Sequence, residues 1–147
     1  DVMEICTPVI NMFFDVDYLS PDEISHQQIL EIVQILQKGI KQASLKNYNT
    51  DVGIDELKCI VTGYIPKDKD ADGMIKSGLH LNFPNYSIAL SDAIHCRNAS
   101  VGLLVSECTF SPSTSWEHTL DNGLYSPGRG IRMLGSRKVD NKKVDKG

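Results

Sequence analysis

Asp15 and Asp17 close a run, residues 8–18, that is rich in β-branched and aromatic types. Residues i and i+2 of a strand face the same way. The two carboxylates therefore project together, with Phe13 and Asn11 behind them, while Met12, Phe14 and Val16 turn to apolar surroundings. Their Cα atoms stand roughly 7 Å apart by strand rise, and two carboxylates at that spacing repel unless a cation lies between them. Hard oxygen ligands of this kind suit one or two Mg²⁺ or Mn²⁺ ions. Two such ions roughly 3.5–4 Å apart activate a nucleophilic oxygen and stabilise a leaving phosphate. An acid pair just before a helix also favours the helix N-terminus, so the pair alone leaves both readings open.

Two further stretches carry candidate chemistry. In residues 76–84, Leu79, Leu81 and Phe83 form one strand face, and Gly78, His80 and Asn82 the other. His80 stands on a polar face beside a glycine that leaves room above the strand. A histidine there can donate to a triphosphate oxygen; equally, it can bond to a neighbouring strand or face water. In residues 120–138, Asp121 lies at a strand end or turn, and Arg129 lies in a Gly-rich loop. Arg132, Leu134, Ser136 and Lys138 share a strand face while Ile131 and Met133 face inward. Such a cluster suits a polyanion; scattered basic residues on a surface strand look the same.

These residues need a scaffold. The run 8–18 reads as a buried strand ending in acid. Ser20 as cap, Pro21 at the first helical position and Glu23 as the capping-box acid then predict a helix to about Ala43. Its stripe, Ile29, Ile32, Val33, Leu36 and Ile40, is core packing. Residues 57–65 read as a second strand and residues 78–83 as a third that Pro84 ends. Residues 86–107 carry a second helical pattern, and residues 116–138 two short extended runs. Between the second and third strands lies a turn-rich loop. Its Asp68, Asp70, Asp72 and Gly73 resemble the opening of a calcium loop, but Leu79 stands where the required Glu would be. Interleaved strands and helices without a dividing linker predict one α+β or α/β domain over residues 1–139, followed by a charged tail, residues 140–147; of the two, α+β is the class expected.

The bulk properties restrict the function classes. A chain of 147 residues with 41% apolar and 23% charged residues fits one soluble domain. No apolar run approaches a membrane span and no signal peptide opens the chain. Cys6, Cys59, Cys96 and Cys108 are far apart with no CxxC pair. That argues against a zinc site and against a disulfide scaffold, and points to free thiols in a reducing, intracellular compartment. The net charge of −4 runs against non-specific phosphate binding. Positive charge is nevertheless concentrated at one end, with seven Lys or Arg against two Asp from Arg129 to Lys146. A chain opening on Asp1 reads as a piece of a longer protein.

Taken together, the three stretches resemble the archaeo-eukaryotic primases: a strand ending Asp-x-Asp, then a small-x-His strand, then Asp121…Tyr125…Arg129…Arg132…Ser136…Lys138. The segment Gly-Leu-His-Leu-Asn-Phe-Pro (78–84) is similar to the primase–helicases of large DNA viruses in particular. The resemblance covers about residues 9–138. It implies an RRM-like core, with a small mixed or antiparallel sheet bearing the acids and both helices on one face. It also implies metal-binding carboxylates at Asp15, Asp17 and Asp121. His80 would contact the phosphates of the incoming nucleotide. Arg129, Arg132 and Lys138 would grip the triphosphate, with Lys76 and Ser136 as further contacts. Family members usually carry Ser two residues before the His; here Gly78 stands there and Ser77 one place earlier. The implied partners are a single-stranded DNA template, nucleoside triphosphates, and a helicase domain or protein. A viral protein of this type would act at replication sites in the host cytoplasm or nucleus.

Three functions follow from these residues. The first is a primase or primase–polymerase working by two-metal nucleotidyl transfer. The second is a nucleotide- or nucleic-acid-binding module without catalysis. The third is a small hydrolase using the same acids.

Overall fold

The computed structural model describes residues 8–63 and 68–125. Strand β1 is Val9–Ser20, helix α1 is His26–Tyr48, strand β2 is Ile60–Thr62, strand β3 is Ile75–Ala89, and helix α2 is Leu90–Glu107. A single helical turn, α3, spans Trp116–Thr119. The three strands form one antiparallel sheet in the order β1-β3-β2. The architecture is α+β, with the antiparallel form of the expected sheet.

Alternation along the strands builds the core. Met12, Phe14, Val16 and Tyr18 of β1 are buried, as are Leu79, Leu81 and Phe83 of β3. They join Ile32, Leu36 and Ile40 of α1 and Ala93, Cys96 and Leu104 of α2 in one apolar cluster. Phe14 and Phe83 meet edge to face, with centroids 5.8 Å apart. The opposite sheet face, carrying Asp15, Asp17, Gly78 and His80, is left uncovered by this layer.

Several expected boundaries move, each for a local reason. Strand β1 stays paired with β3 as far as Ser20, opposite Ile75. Ser20 therefore does not cap α1; its hydroxyl donates to the carbonyl of Asp22 in the turn that follows. The cap is Ser25, and Gln28 rather than Glu23 completes the capping box. Pro84 does not end β3. Asn11 pairs with Ser87 while Met12 pairs with Phe83, which leaves residues 84–86 as an irregularity opposite β1. A proline there forfeits no ladder hydrogen bond. Residues 86–89 are consequently strand, and α2 starts at Leu90, whose N–H donates to the carbonyl of Pro8 at 2.7 Å. The second strand shrinks to three residues because Ile54–Leu57 forms a 3₁₀ turn that buries Leu57. The run from 116 begins with helix α3 rather than a strand, capped by Ser115. In the aspartate-rich loop, Asp70 Oδ1 accepts the N–H groups of Asp72 and Met74, a turn-forming role.

Cys59, Cys96 and Cys108 are free thiols. Burial pushes Cys96 and Cys59 up to about 12. No helix among the described residues is long and apolar enough to cross a membrane.

Helices α1 and α2 approach closely at Gly39. A Cβ there would stand 2.1 Å from Ser100 Oγ and 3.0 Å from Ser100 Cα. Gly39→Val is expected to force the helices apart and to cost about 1–3 kcal/mol, as overpacked cores do. Denaturant unfolding checks this; an unchanged midpoint would contradict the close approach.

Candidate active site

The antiparallel register sets the site out as rows across the open face. Asp15 lies opposite His80, which in turn lies opposite Thr62 of β2. Asp17 lies opposite Gly78, and Leu19 opposite Lys76. The alternation that buries Leu79 and Leu81 therefore presents Lys76, Gly78 and His80 on the side of the acids.

Asp15 and His80 are bonded directly: the Nδ1–H of His80 donates to Asp15 Oδ1 at 2.5 Å. The Asp15 side chain is 29% exposed and that of His80 58%. Burial pushes the Asp15 carboxyl above its ordinary value; the bond and charge of His80 oppose this, and Asp17 and Asp121 add to it. Gly63 backs the imidazole. Its φ is +73°, and a Cβ there would stand 2.3 Å from His80 Cδ2.

Asp121 reaches the same place through its backbone. Leu120 forms an isolated antiparallel bridge with Val16, and the N–H of Asp121 donates to the carbonyl of Asp15 at 3.2 Å. Asp121 Oδ1 accepts the N–H of Gly123 at 2.8 Å. Tyr125 completes the seam: its hydroxyl donates to the carbonyl of Phe13 at 2.6 Å and its ring packs on Phe13. Burial raises the Tyr125 phenol far above its ordinary value, which keeps it a neutral donor. The chain thus brings a residue more than a hundred positions away onto the edge of β1, beside Asp15.

The donors fit a hard divalent cation in chemistry. Asp15, Asp17 and Asp121 supply only carboxylate oxygens, and the repulsion that Asp17 and Asp121 exert on Asp15 is what a cation relieves. The side chains do not form a ready-made cage. Among the described residues, no three His, Cys, Asp or Glu side chains stand together at metal-holding spacing. Asp15 Oδ1 is engaged by His80, and Asp121 Oδ1 accepts the N–H of Gly123.

Ser77 is fully buried, and its hydroxyl accepts the N–H of Ile24 at 3.4 Å. It faces away from the acids. Gly78 leaves open space there; a Cβ would meet only Asp17 Oδ1 at 3.6 Å. Arg129, Arg132, Ser136 and Lys138 lie outside the described residues.

Two supporting residues escape a reading of motifs. Gly63 contributes only space. Arg97 is 2% exposed on α2. The one signal for it is its position four residues after Ala93 and seven before Leu104, a charge within an apolar stripe.

The result is an α+β domain whose antiparallel sheet carries carboxylates and a histidine on its uncovered face. The family model of the C962R protein N-terminal AEP domain matches residues 1–145. The chain belongs to that family, and through it to the archaeo-eukaryotic primases, a superfamily of primase-like nucleotidyltransferases. Neither a curated protein nor a solved structure matches the chain significantly.

Proposed function

We propose that this chain is the catalytic core of a DNA primase or primase–polymerase, which makes primers from nucleoside triphosphates on a single-stranded DNA template. The observation that carries the reading is the meeting of Asp15, His80 and Asp121 beside the middle of β1. Asp15 is bonded to His80 through its side chain and to Asp121 through its backbone.

Asp15, Asp17 and Asp121 would hold Mg²⁺ or Mn²⁺. The bound ions would lower the pKa of a primer 3′-hydroxyl and offset charge at the transferring phosphate. With both ring nitrogens protonated, His80 would donate Nδ1–H to Asp15 and Nε2–H to a phosphate oxygen of the incoming nucleotide. Gly78 leaves room for that phosphate beside Asp17. Lys76 adds a cation further along the same face of β3. From the resemblance, Arg129, Arg132, Ser136 and Lys138 would neutralise the rest of the triphosphate. Template binding would be chiefly electrostatic and salt-sensitive. In the viral primase–helicase type, a helicase domain or protein would deliver that template.

A nucleic-acid-binding module without catalysis is the second reading. It draws on the net charge of −4 and on the lack of a ready-made cation cage among the described residues. Primer synthesis on single-stranded DNA with Mn²⁺ separates the readings. The wild-type chain, in its full-length protein, is expected to make labelled product, and Asp121→Ala none. Template binding without product would favour the module. Nucleotide hydrolysis without a template would favour a hydrolase.

A further inference from the structure

The peptide unit joining Leu120 to Asp121 is held at both of its ends. Its N–H donates to the carbonyl of Asp15 at 3.2 Å. Its carbonyl accepts two bonds from the buried guanidinium of Arg97, from Nη2 at 2.7 Å and from Nε at 3.3 Å. The same Nη2 donates to the carbonyl of Glu117 at 2.6 Å. Nη1 is tethered to Glu117 Oε2 and to Asn98 Oδ1, each at 3.0 Å.

A burial this complete is costly for a cation unless its donors are satisfied. Here three of the donated bonds go to the backbone carbonyls of Glu117 and Leu120, the second of which belongs to the peptide that carries the Asp121 N–H. An apolar side chain would fill the same space in the α2–α3 contact without fixing any peptide. Guanidinium, with its rigid planar fork, fixes direction as well as distance. The Leu120 carbonyl cannot rotate without breaking both Arg97 bonds, and the Asp121 N–H rotates with it. Leu120 itself is 1% exposed and bridged to Val16, so the unit has no other freedom to take up.

We infer that Arg97 is a positioning residue: from α2 it clamps the Leu120–Asp121 peptide against β1 and so sets where the Asp121 carboxylate stands relative to Asp15 and Asp17. This rests on the reading of those acids as a cation site. Arg97 touches neither substrate nor metal; it acts through the backbone of the ligand. Outer-shell groups that orient ligands typically change metal affinity about 10–100-fold.

Arg97→Lys in the full chain is the test, because lysine keeps the buried charge but replaces the fork by a single point. Two readouts are taken without turnover. In the first, hydrogen exchange of the Asp121 amide is compared with that of Leu81 in the centre of the sheet. We expect Asp121 to exchange at least about tenfold faster in the variant while Leu81 is unchanged, the pattern of a local opening. In the second, Mn²⁺ binding, followed by the electron paramagnetic resonance signal of the free ion, is expected to weaken about tenfold. Equal acceleration of both amides, or Mn²⁺ binding as tight as in the wild type, overturns the inference. A wild-type chain that binds no Mn²⁺ overturns the metal reading instead, and the exchange pattern still decides whether the clamp exists. If Arg97→Lys does not fold, Arg97→Gln, which removes the charge but keeps a donor, takes its place. Collapse of both variants assigns Arg97 to folding alone and overturns its positioning role.

Discussion

Asp15→Asn is expected to abolish nucleotidyl transfer, by at least about 100-fold, while leaving the domain folded. Outer-shell changes already cost about 10–100-fold at metal sites, and a direct ligand sets the upper end of that scale. Asparagine keeps the shape of Asp15 and an oxygen that accepts from His80, so the row across the sheet survives. Stability at neutral pH is expected to hold or rise. Burial disfavours the charged carboxyl, and Asp17 and Asp121 add repulsion; together these outweigh the help of His80 and raise the folded-state pKa. An acid with a raised folded pKa binds its proton more tightly in the native chain than in the unfolded one. Stability therefore falls as pH rises through that window, and a neutral replacement removes the penalty. Below the ordinary value of 3.8 the difference between the proteins should vanish. Thermal unfolding at pH 7 and pH 3, set beside primer synthesis, checks both halves. A variant that is inactive because it is unfolded would contradict the separation of stability from function.

Gly63→Ala carries the second large effect. Alanine at a φ of +73° is strained by about 1–2 kcal/mol. Its methyl would also stand 2.3 Å from His80 Cδ2 and 3.1 Å from Nε2. The imidazole is the easier of the two to move, so the ring is expected to swing away from Asp15. Activity should then fall by up to about 100-fold, the cost of displacing a positioned group by about 1 Å. The discriminating comparison is a double-mutant cycle with His80→Ala. If Gly63 acts through the ring, adding Gly63→Ala to His80→Ala should cost no further activity, because the two changes share one partner. Additive losses would mean that Gly63 serves something other than His80.

The sequence was most legible where one strand face decided the matter. The alternation from Met12 to Tyr18 predicts which side carries Asp15 and Asp17, and the burial pattern of β1 follows it residue for residue. The helix stripe of Ile32, Leu36 and Ile40 was legible for the same reason, since a period of 3.6 is readable within one element. Contacts between elements were not. Ser20, Pro21 and Glu23 form a good local start signal, yet pairing with β3 extended β1 over Ser20 and moved the cap to Ser25. Pro84 is a sound strand terminator unless the partner strand tolerates an irregularity opposite it, and β1 does so between Asn11 and Met12. His80 was open to two uses, phosphate contact or a bond to a neighbouring strand. The structure shows the second, through Asp15, and leaves Nε2 for the first. Asp121 was reached through the resemblance, whereas its tie to Asp15 depends on the Leu120 bridge and on Arg97, neither of which has a motif.

The most direct measurement is the sequence of the product made on a single-stranded DNA template of defined sequence, with nucleoside triphosphates and Mn²⁺. The proposed function predicts a product complementary to the template that disappears with Asp15→Asn and with Asp121→Ala. A product of arbitrary sequence, or no product from the wild-type protein in its full-length form, would contradict it.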